Sequence, residues 1–544
     1  MSSNLGLVDD ECSWWWYGHN NISVYITQVA AVSSGTALLL AVLVVCWWVS
    51  KRWNKGGGPT LPPGPRGLPL VGNLPFLEPD LHRCFAKLAQ IYGPIMKLQL
   101  GPKLCVVLTS PSLAREVLKV HDAIFANRDP PLVAATMTYG GIDIVWSPNG
   151  PQWRMMRRVF AHEMMSNKSL EACYNLRRQE VVQMVKEVYT KIGSPINIGE
   201  VMFLTMANLI LSMLWGGTLQ GDEKSSIGRE IQKVMRETID LAAKPNISDF
   251  FPILASFDIQ GIERKAKKLL SRMNHIIDPV INQRLDQMDQ KEEGDQQGAD
   301  EKKERKDFLQ YLLELKQRDG KASLLTKIQL KVLLQDIIGA GTDTTSTTVE
   351  WAMAEMIQYP EVMRKAQDEL EQVVGMDNIV EESHLPKLSY LNAVVKESHR
   401  LHPPLPLMFS HCPSMSCTIG GYTILKGTNV FVNVWAMHRD PNAWESPLTF
   451  LPERFLSDSN NNYDYKGTNF SYLPFGSGRR MCAGVPLAEK MSLYVLASLL
   501  HTFKWKLPDG VNLDLSEEFG IVLKKKTPLV LTPTPRLSNV KLYS

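Results

Sequence analysis

From Val24 to Ser50 the chain carries no charged side chain, and this stretch constrains the fold more than any other. It includes the run TALLLAVLVVCWWVS. About 20 apolar residues cross the hydrocarbon core of a bilayer as a helix, so residues 24–50 are expected to form a transmembrane anchor. Asp9, Asp10 and Glu11 precede the stretch, and Lys51, Arg52 and Lys55 follow it. Basic flanks stay on the cytosolic side. That places residues 1–23 in the lumen and everything after the anchor in the cytosol. Trp47, Trp48 and Trp53 suit the membrane interface. A cleaved signal peptide is the competing reading, opposed by the length of the apolar run and the acidic residues before it. The Asn21-Ile22-Ser23 sequon falls on the lumenal side, close to the membrane.

Residues 51–75 are basic, then rich in glycine and proline (GGGPTLPPGPRGLPLVGNLP from residue 56). Gly56 to Gly58 reads as a flexible joint, and Pro62, Pro63, Pro65 and Pro69 as extended chain that separates the anchor from the body. Residues 76–544 form that body. Helical spacing of apolar residues marks LHRCFAKLAQIYG, PSLAREVLKVHDAIF and KIQLKVLLQDIIGAG. Strand-like runs are short: 97–101, 104–109 and several after residue 405. The charged run Asp286 to Lys306 reads as a solvated loop between two helices. Lys and Arg total 59 against 56 acidic residues, a net charge of +3 that does not favour a nucleic-acid partner. The eight cysteines are scattered without close pairs, which argues against a disulfide framework and a zinc site.

One of those cysteines sits in unusual company. In PFGSGRRMCAGVPLAEK, Pro474 to Lys490, three glycines surround Cys482. Gly476 and Gly478 permit a tight loop with close backbone approach to a flat cofactor. The run after it reads as a helix, so Cys482 lies near a helix N-terminus, where the dipole favours thiolate over thiol. A thiolate donates electron density to haem iron and promotes O–O cleavage. A lone cysteine is more often buried packing; its surroundings reverse that balance here.

A second segment, AGTDTTSTT at Ala340 to Thr348, continues a helical pattern in spite of its propensity. Gly costs roughly 1 kcal/mol against Ala in a helix, and β-branched threonines add several tenths each. A local rule broken inside a buried helix points to function. Gly341 and the Thr344 hydroxyl leave room for a diatomic ligand and a water, and Asp343 is placed to feed protons inward. Threonines that bond their own helix carbonyls are the plainer alternative.

Phe475, Gly478, Arg480, Cys482 and Gly484 match the F-x-x-G-x-R-x-C-x-G signature, and here the chain resembles the cytochromes P450. The other motifs follow in that family's order: Trp153 and Arg157 as W-x-x-x-R, A-G-x-D-T-T, Glu397 and Arg400 as E-x-x-R, Arg454 in PERF, then the cysteine loop. Their wording resembles the plant microsomal group of specialised metabolism. The resemblance implies a mainly α fold with a smaller β-rich lobe. Haem b would lie between the Asp343–Thr344 helix and the Cys482 loop. Cys482 would be the axial ligand of the iron and Phe475 a shield beside the sulfur. Trp153, Arg157, His411 and Arg480 would contact the haem propionates. Asp343 and Thr344 would assist the protonation that splits dioxygen. Glu397, Arg400 and Arg454 would form a structural triad behind the loop.

The implied activity is insertion of one oxygen atom into a small lipophilic molecule at the endoplasmic reticulum membrane. Electrons would come from NADPH through a separate cytochrome P450 reductase, since no convincing G-x-G-x-x-G follows a strand. Arg154, Arg157, Arg158 and Arg479 are candidates for its docking face. Expected pocket walls are the loop Leu132 to Trp146, Ile338, Ala340, Leu405, Met408 and Val522. Their apolar character favours a sesquiterpene or diterpene, with a flavonoid or other phenolic second. Two rivals remain: a haem isomerase or dehydratase needing no reductase, which the Asp343–Thr344 pair opposes, and a membrane-tethered haem or lipid carrier.

Overall fold

The computed structural model describes residues 36, 38–45, 59–216, 221–294, 307–318, 325–456 and 463–543. Two units separate, Met1–Gly58 and Pro59–Ser544. In the first, Thr36 and residues 38–45 are helical, and those described are mostly exposed. The rest of the expected anchor, its flanking charges, the interface tryptophans and the Asn21 sequon lie outside the described residues.

The second unit is mainly helical with small sheets. It begins earlier than the expected boundary at residue 76. The proline-rich stretch packs onto the body: the Lys97 amide donates to the Pro63 carbonyl at 2.8 Å, and the Thr423 amide to the Thr60 carbonyl at 2.8 Å. Proline lacks an amide donor but keeps its carbonyl, so such a segment can still accept bonds at a sheet edge.

A 32-residue helix, Lys327–Gln358, forms the axis of the body. At 1.5 Å per residue it is about 48 Å long. It opens with a reciprocal capping box between Thr326 and Gln329. Across it lies Ile198–Trp215, a helix apolar enough by composition to cross a membrane but largely buried inside the body, as a core helix is. Gly339 and Gly341 allow close approach to the central helix. A Cβ on Gly341 would sit 2.7 Å from Ile210 Cδ1, and one on Gly339 2.8 Å from Met235 Cε. The helix Val485–Thr502 also packs against the central helix, which places the cysteine loop beside it.

The strands fall close to the expected places. Ile95–Leu100 pairs antiparallel with Lys103–Leu108, which pairs in parallel with Asn429–Val432. Alternate residues serve opposite faces. Met96, Leu98, Cys105 and Val107 enter one apolar cluster, and Ile95, Val106 and Leu108 another. The charged run from Asp286 departs from expectation. The helix Ile262–Gly294 continues through Asp286 to Gly294, and residues 295–306 lie outside the described set. Gln, Lys and Glu are good helix formers, so low apolar content there did not end the helix.

Candidate active site

The cysteine loop is shaped by its glycines. Gly476 and Gly478 have φ of +73° and +66°, a region L side chains rarely enter. A Cβ on Gly478 would lie 2.1 Å from the Leu118 carbonyl oxygen. The Cys482 amide donates to the Phe475 carbonyl at 2.9 Å and closes the loop. Cys482 precedes the helix Val485–Thr502, and its thiol opens into a cavity roofed by the central helix. Burial raises the Cys482 pKa; the amides of Gly484 and Val485 and the charge of Arg157 oppose that rise. The helix N-terminus therefore acts in the expected direction, but in the protein alone desolvation outweighs it.

Phe475 lines the same cavity and meets Tyr465 edge-on at 5.0 Å and His399 at 5.3 Å. His399 is held neutral by burial, which lowers its pKa to about 4. At the cavity's polar end stand Arg128, Arg157, Arg480 and His411. Arg157 donates to the Met481 carbonyl. Arg480 donates to the carbonyls of Ala126 at 2.6 Å, Ile144 at 3.3 Å and Val145 at 3.4 Å, and to that of Ser147. His411 Nδ1 donates to the Phe125 carbonyl at 3.0 Å, and burial keeps its ring neutral. Trp153 does not line the cavity. Its ring lies 4.2 Å from the Arg480 guanidinium carbon, and its N–H donates to the Ile144 carbonyl at 3.0 Å.

Sequence reasoning missed Arg128. It donates to the carbonyls of Phe409 and Ser410 at 2.6 and 2.7 Å, while its Nε is buried without a partner. Burial, then the charges of Arg480 and Arg157, lower its pKa to about 9. A lone Arg between Asn127 and Asp129 in a loop carries no spacing signal, so the sequence offered nothing to find it by.

On the central helix, Thr344 faces the cavity and its hydroxyl donates to the Ala340 carbonyl at 2.6 Å. Thr342 and Thr348 bond their own helix in the same way. Asp343 points elsewhere: it is buried, pairs with Lys524 at 2.8 Å, and keeps Oδ2 unpartnered. Burial raises its pKa and Lys524 opposes the rise. Among the expected pocket walls, Ala340, Leu405 and Met408 line the cavity. Ile338 and Val522 are buried but do not. Ile337 takes the cavity side because one residue turns a helix by about 100°. Val522 stands behind Pro404, whose carbonyl accepts the Leu523 amide at 2.9 Å.

Behind the loop, Glu397 accepts from Arg400 at 2.7 and 2.8 Å and from Arg454 at 3.1 Å. Arg400 also donates to the carbonyls of His438 and Pro447. His438 Nε2 accepts the Leu473 amide at 2.9 Å, which carries the framework into the start of the cysteine loop. Of the basic residues considered for docking, Arg154 and Arg158 are exposed, Arg479 is exposed and paired with Asp122, and Arg157 is turned inward.

The cytochrome P450 family model matches residues 62–532, and the chain belongs to that family as a haem-thiolate monooxygenase. The flavonoid 3'-monooxygenase of Arabidopsis thaliana is 38% identical, covering 92% of this chain and 97% of that protein. Cytochrome P450 76C1 of the same plant is 37% identical, with coverage of 94% and 99%. A zebrafish cytochrome P450 solved with abiraterone matches with a TM-score of 0.68 at 28% identity, over 84% of this chain and 99% of that one. The cavity fits the family's cofactor. A thiol opens at one wall, three guanidiniums bonded to backbone carbonyls converge at one end, and the buried Nε of Arg128 lacks an acceptor. A flat apolar group carrying carboxylates suits that arrangement.

Proposed function

We propose that this monooxygenase hydroxylates a small lipophilic specialised metabolite, with terpenoid skeletons the first expectation. The observation that carries the reading is that the Cys482 thiol and the Thr344 hydroxyl open into one cavity with largely apolar walls, among them Phe160, Met206, Leu209, Ile210 and Met408. When bound, haem supplies the dioxygen chemistry. Cys482 holds the iron through its sulfur, beside the Phe475 ring. Arg128, Arg157 and Arg480 hold the carboxylates at the polar end; neutral His411, whose one N–H is held by the Phe125 carbonyl, packs beside them without a donor to offer. Trp153 acts through Arg480, whose guanidinium it stacks on. Thr344 spends its proton on Ala340, so its oxygen lone pairs are free to accept from a water at the cavity wall. Asp343, reached from the surface side by half-exposed Lys524, supplies protons to that helix. Glu397, Arg400 and Arg454 keep the loop in place without touching substrate.

Flavonoids and other phenolics are the second reading, favoured by the activity named for the Arabidopsis relative. The endoplasmic reticulum membrane is the expected site, with a cytochrome P450 reductase passing NADPH-derived electrons. Exposed Leu68, Leu70 and Phe76, and exposed Ile253, Phe257 and Ile259, support contact with a lipid surface. The turn after Leu100 links those two groups: Gly101 bonds the Val71 carbonyl and packs by Phe250 and Phe251.

The test is the carbon monoxide difference spectrum of reduced microsomes, followed by product analysis with reductase and NADPH against terpene and flavonoid panels. A strongly red-shifted Soret band, lost in Cys482→Ala, is expected. Folded protein that keeps that band after Cys482→Ala would refute the ligand assignment. Thr344→Ala should retain haem and lower product formed per NADPH by about tenfold or more; full coupling would remove Thr344 from proton delivery.

A further inference from the structure

Two carboxyl groups outside the motifs meet at the cavity wall. Asp143 lies in the loop 138–150 and is buried; Asp336 lies on the central helix, two turns before Thr344, and lines the cavity. Asp336 accepts the amide of Ile144, the residue next to Asp143, at 3.0 Å, which brings the two carboxyl groups together so that each acts on the other's charge. Two carboxylates cannot both be ionised at that separation in a desolvated site, so one of them carries a proton. The surroundings assign it. Asp143 accepts the Trp146 amide at 3.0 Å and feels the charges of Arg128 and Arg480, which favour its ionised form. Asp336 accepts one amide, that of Ile144, at 3.0 Å. Asp143 is therefore the carboxylate and Asp336 the acid.

The same loop carries the acceptors of the polar end. The Ile144 carbonyl accepts from Trp153 and Arg480, and the carbonyls of Val145 and Ser147 accept from Arg480. The Ser147 hydroxyl donates back to the Gly141 carbonyl at 2.8 Å and closes the loop on itself.

We propose that Asp143 and Asp336 are a proton-sharing positioning pair: neutral Asp336 donates to the Asp143 carboxylate, ties the 138–150 loop to the central helix, and so fixes Arg480 at the carboxylate-binding end of the cavity. The last step rests on the role of Arg480 given under Proposed function. Burial raises Asp143 to about 6 and Asp336 well above the ordinary carboxylate value. The folded protein thus keeps a proton that the unfolded chain releases near 3.8. A raised acid stabilises fully below the unfolded value, and that contribution is lost as pH rises toward the folded value. Asp143 itself gives up its proton at about 6, so the pair shares a single proton above that value, while the facing cations do not titrate in this window. Arg128 and Arg480 remain cationic to about 9 and about 10, and Arg157, lowered by burial, lines the same end. His411 stays neutral.

Asp336→Asn keeps the shape and the donor but cannot ionise. It should gain on wild type steadily above the unfolded value of 3.8, by up to about tenfold in the folding equilibrium per pH unit until wild-type Asp336 ionises, so its lead widens across the whole measured range. The measurement is denaturant unfolding of the holoenzyme from about pH 5 to about pH 8, below the titration of Arg128. Haem transfer to an acceptor apoprotein is measured over the same range. Asp336→Leu, which leaves Asp143 unpaired, should release haem faster at every pH, and Asp336→Asn should not. Parallel pH profiles for wild type and Asp336→Asn would overturn the shared proton. Unchanged haem release in Asp336→Leu, with faster release in Arg480→Leu, would overturn the positioning role. If Arg480→Leu also left haem release unchanged, the role assigned to Arg480 would fall instead, while the unfolding profiles would still decide the shared proton.

Discussion

Two groups of arginines flank the cysteine loop, and their partners differ. Arg400 and Arg454 meet a carboxylate of this chain, Glu397, and the Arg400–Glu397 contact is fully buried. Arg128, Arg157 and Arg480 face the cavity and bond backbone carbonyls. Burial lowers all three, and mutual repulsion adds to this at Arg128 and Arg480. A guanidinium with an internal carboxylate completes the framework. Guanidiniums that bond no internal carboxylate directly, Asp143 acting on Arg128 and Arg480 only through its charge, still favour an anion from outside. Similar side chains on either side of one loop are thus separated into scaffold and binding site by what neutralises them.

That contrast predicts graded effects. Arg400→Leu leaves Glu397 buried with one guanidinium fewer, which destabilises by about 3–5 kcal/mol. Against a total stability of about 5–15 kcal/mol, denaturant titration should show protein that folds poorly with or without haem. Arg480→Leu removes charge-assisted bonds worth about 1.5–3 kcal/mol each. Haem affinity should fall by at least about tenfold, while unfolding of the haem-free body changes less than in Arg400→Leu; equal losses in both variants would erase the distinction. Arg154→Glu and Arg158→Glu alter exposed groups, so stability should stay within about 0.5 kcal/mol. Reductase-driven turnover should drop while peroxide-driven turnover holds, and added salt should narrow the gap. Equal loss in both assays would remove these residues from docking.

Much of this was legible in the chain. The helices around LHRCFAKLAQIY and KIQLKVLLQDII, and the short strands near residues 97 and 104, follow from apolar spacing. Glu397, Arg400 and Arg454 converge as their motifs imply. Other features were not legible. The helix running past Asp286 depends on good helix formers in a polar stretch, where apolar periodicity is silent. Ile337 in place of Ile338 depends on the rotation of one helix against its neighbours. Arg128 and the Asp143–Asp336 contact unite residues far apart in sequence with no motif between them.

The sequence by itself determined the chemistry within its motifs: a cysteine among glycines before a helix, a threonine and an acid in a helix that disfavours them, and paired charges three residues apart. Those are local facts, because backbone geometry fixes what neighbours can do. Only the tertiary structure decided that Asp343 turns to Lys524 while Thr344 faces the cavity, and that Trp153 stacks on Arg480. It also decided which arginines have a carboxylate of their own. Such pairings depend on how distant helices and loops dock, and burial then sets the charge each group can carry.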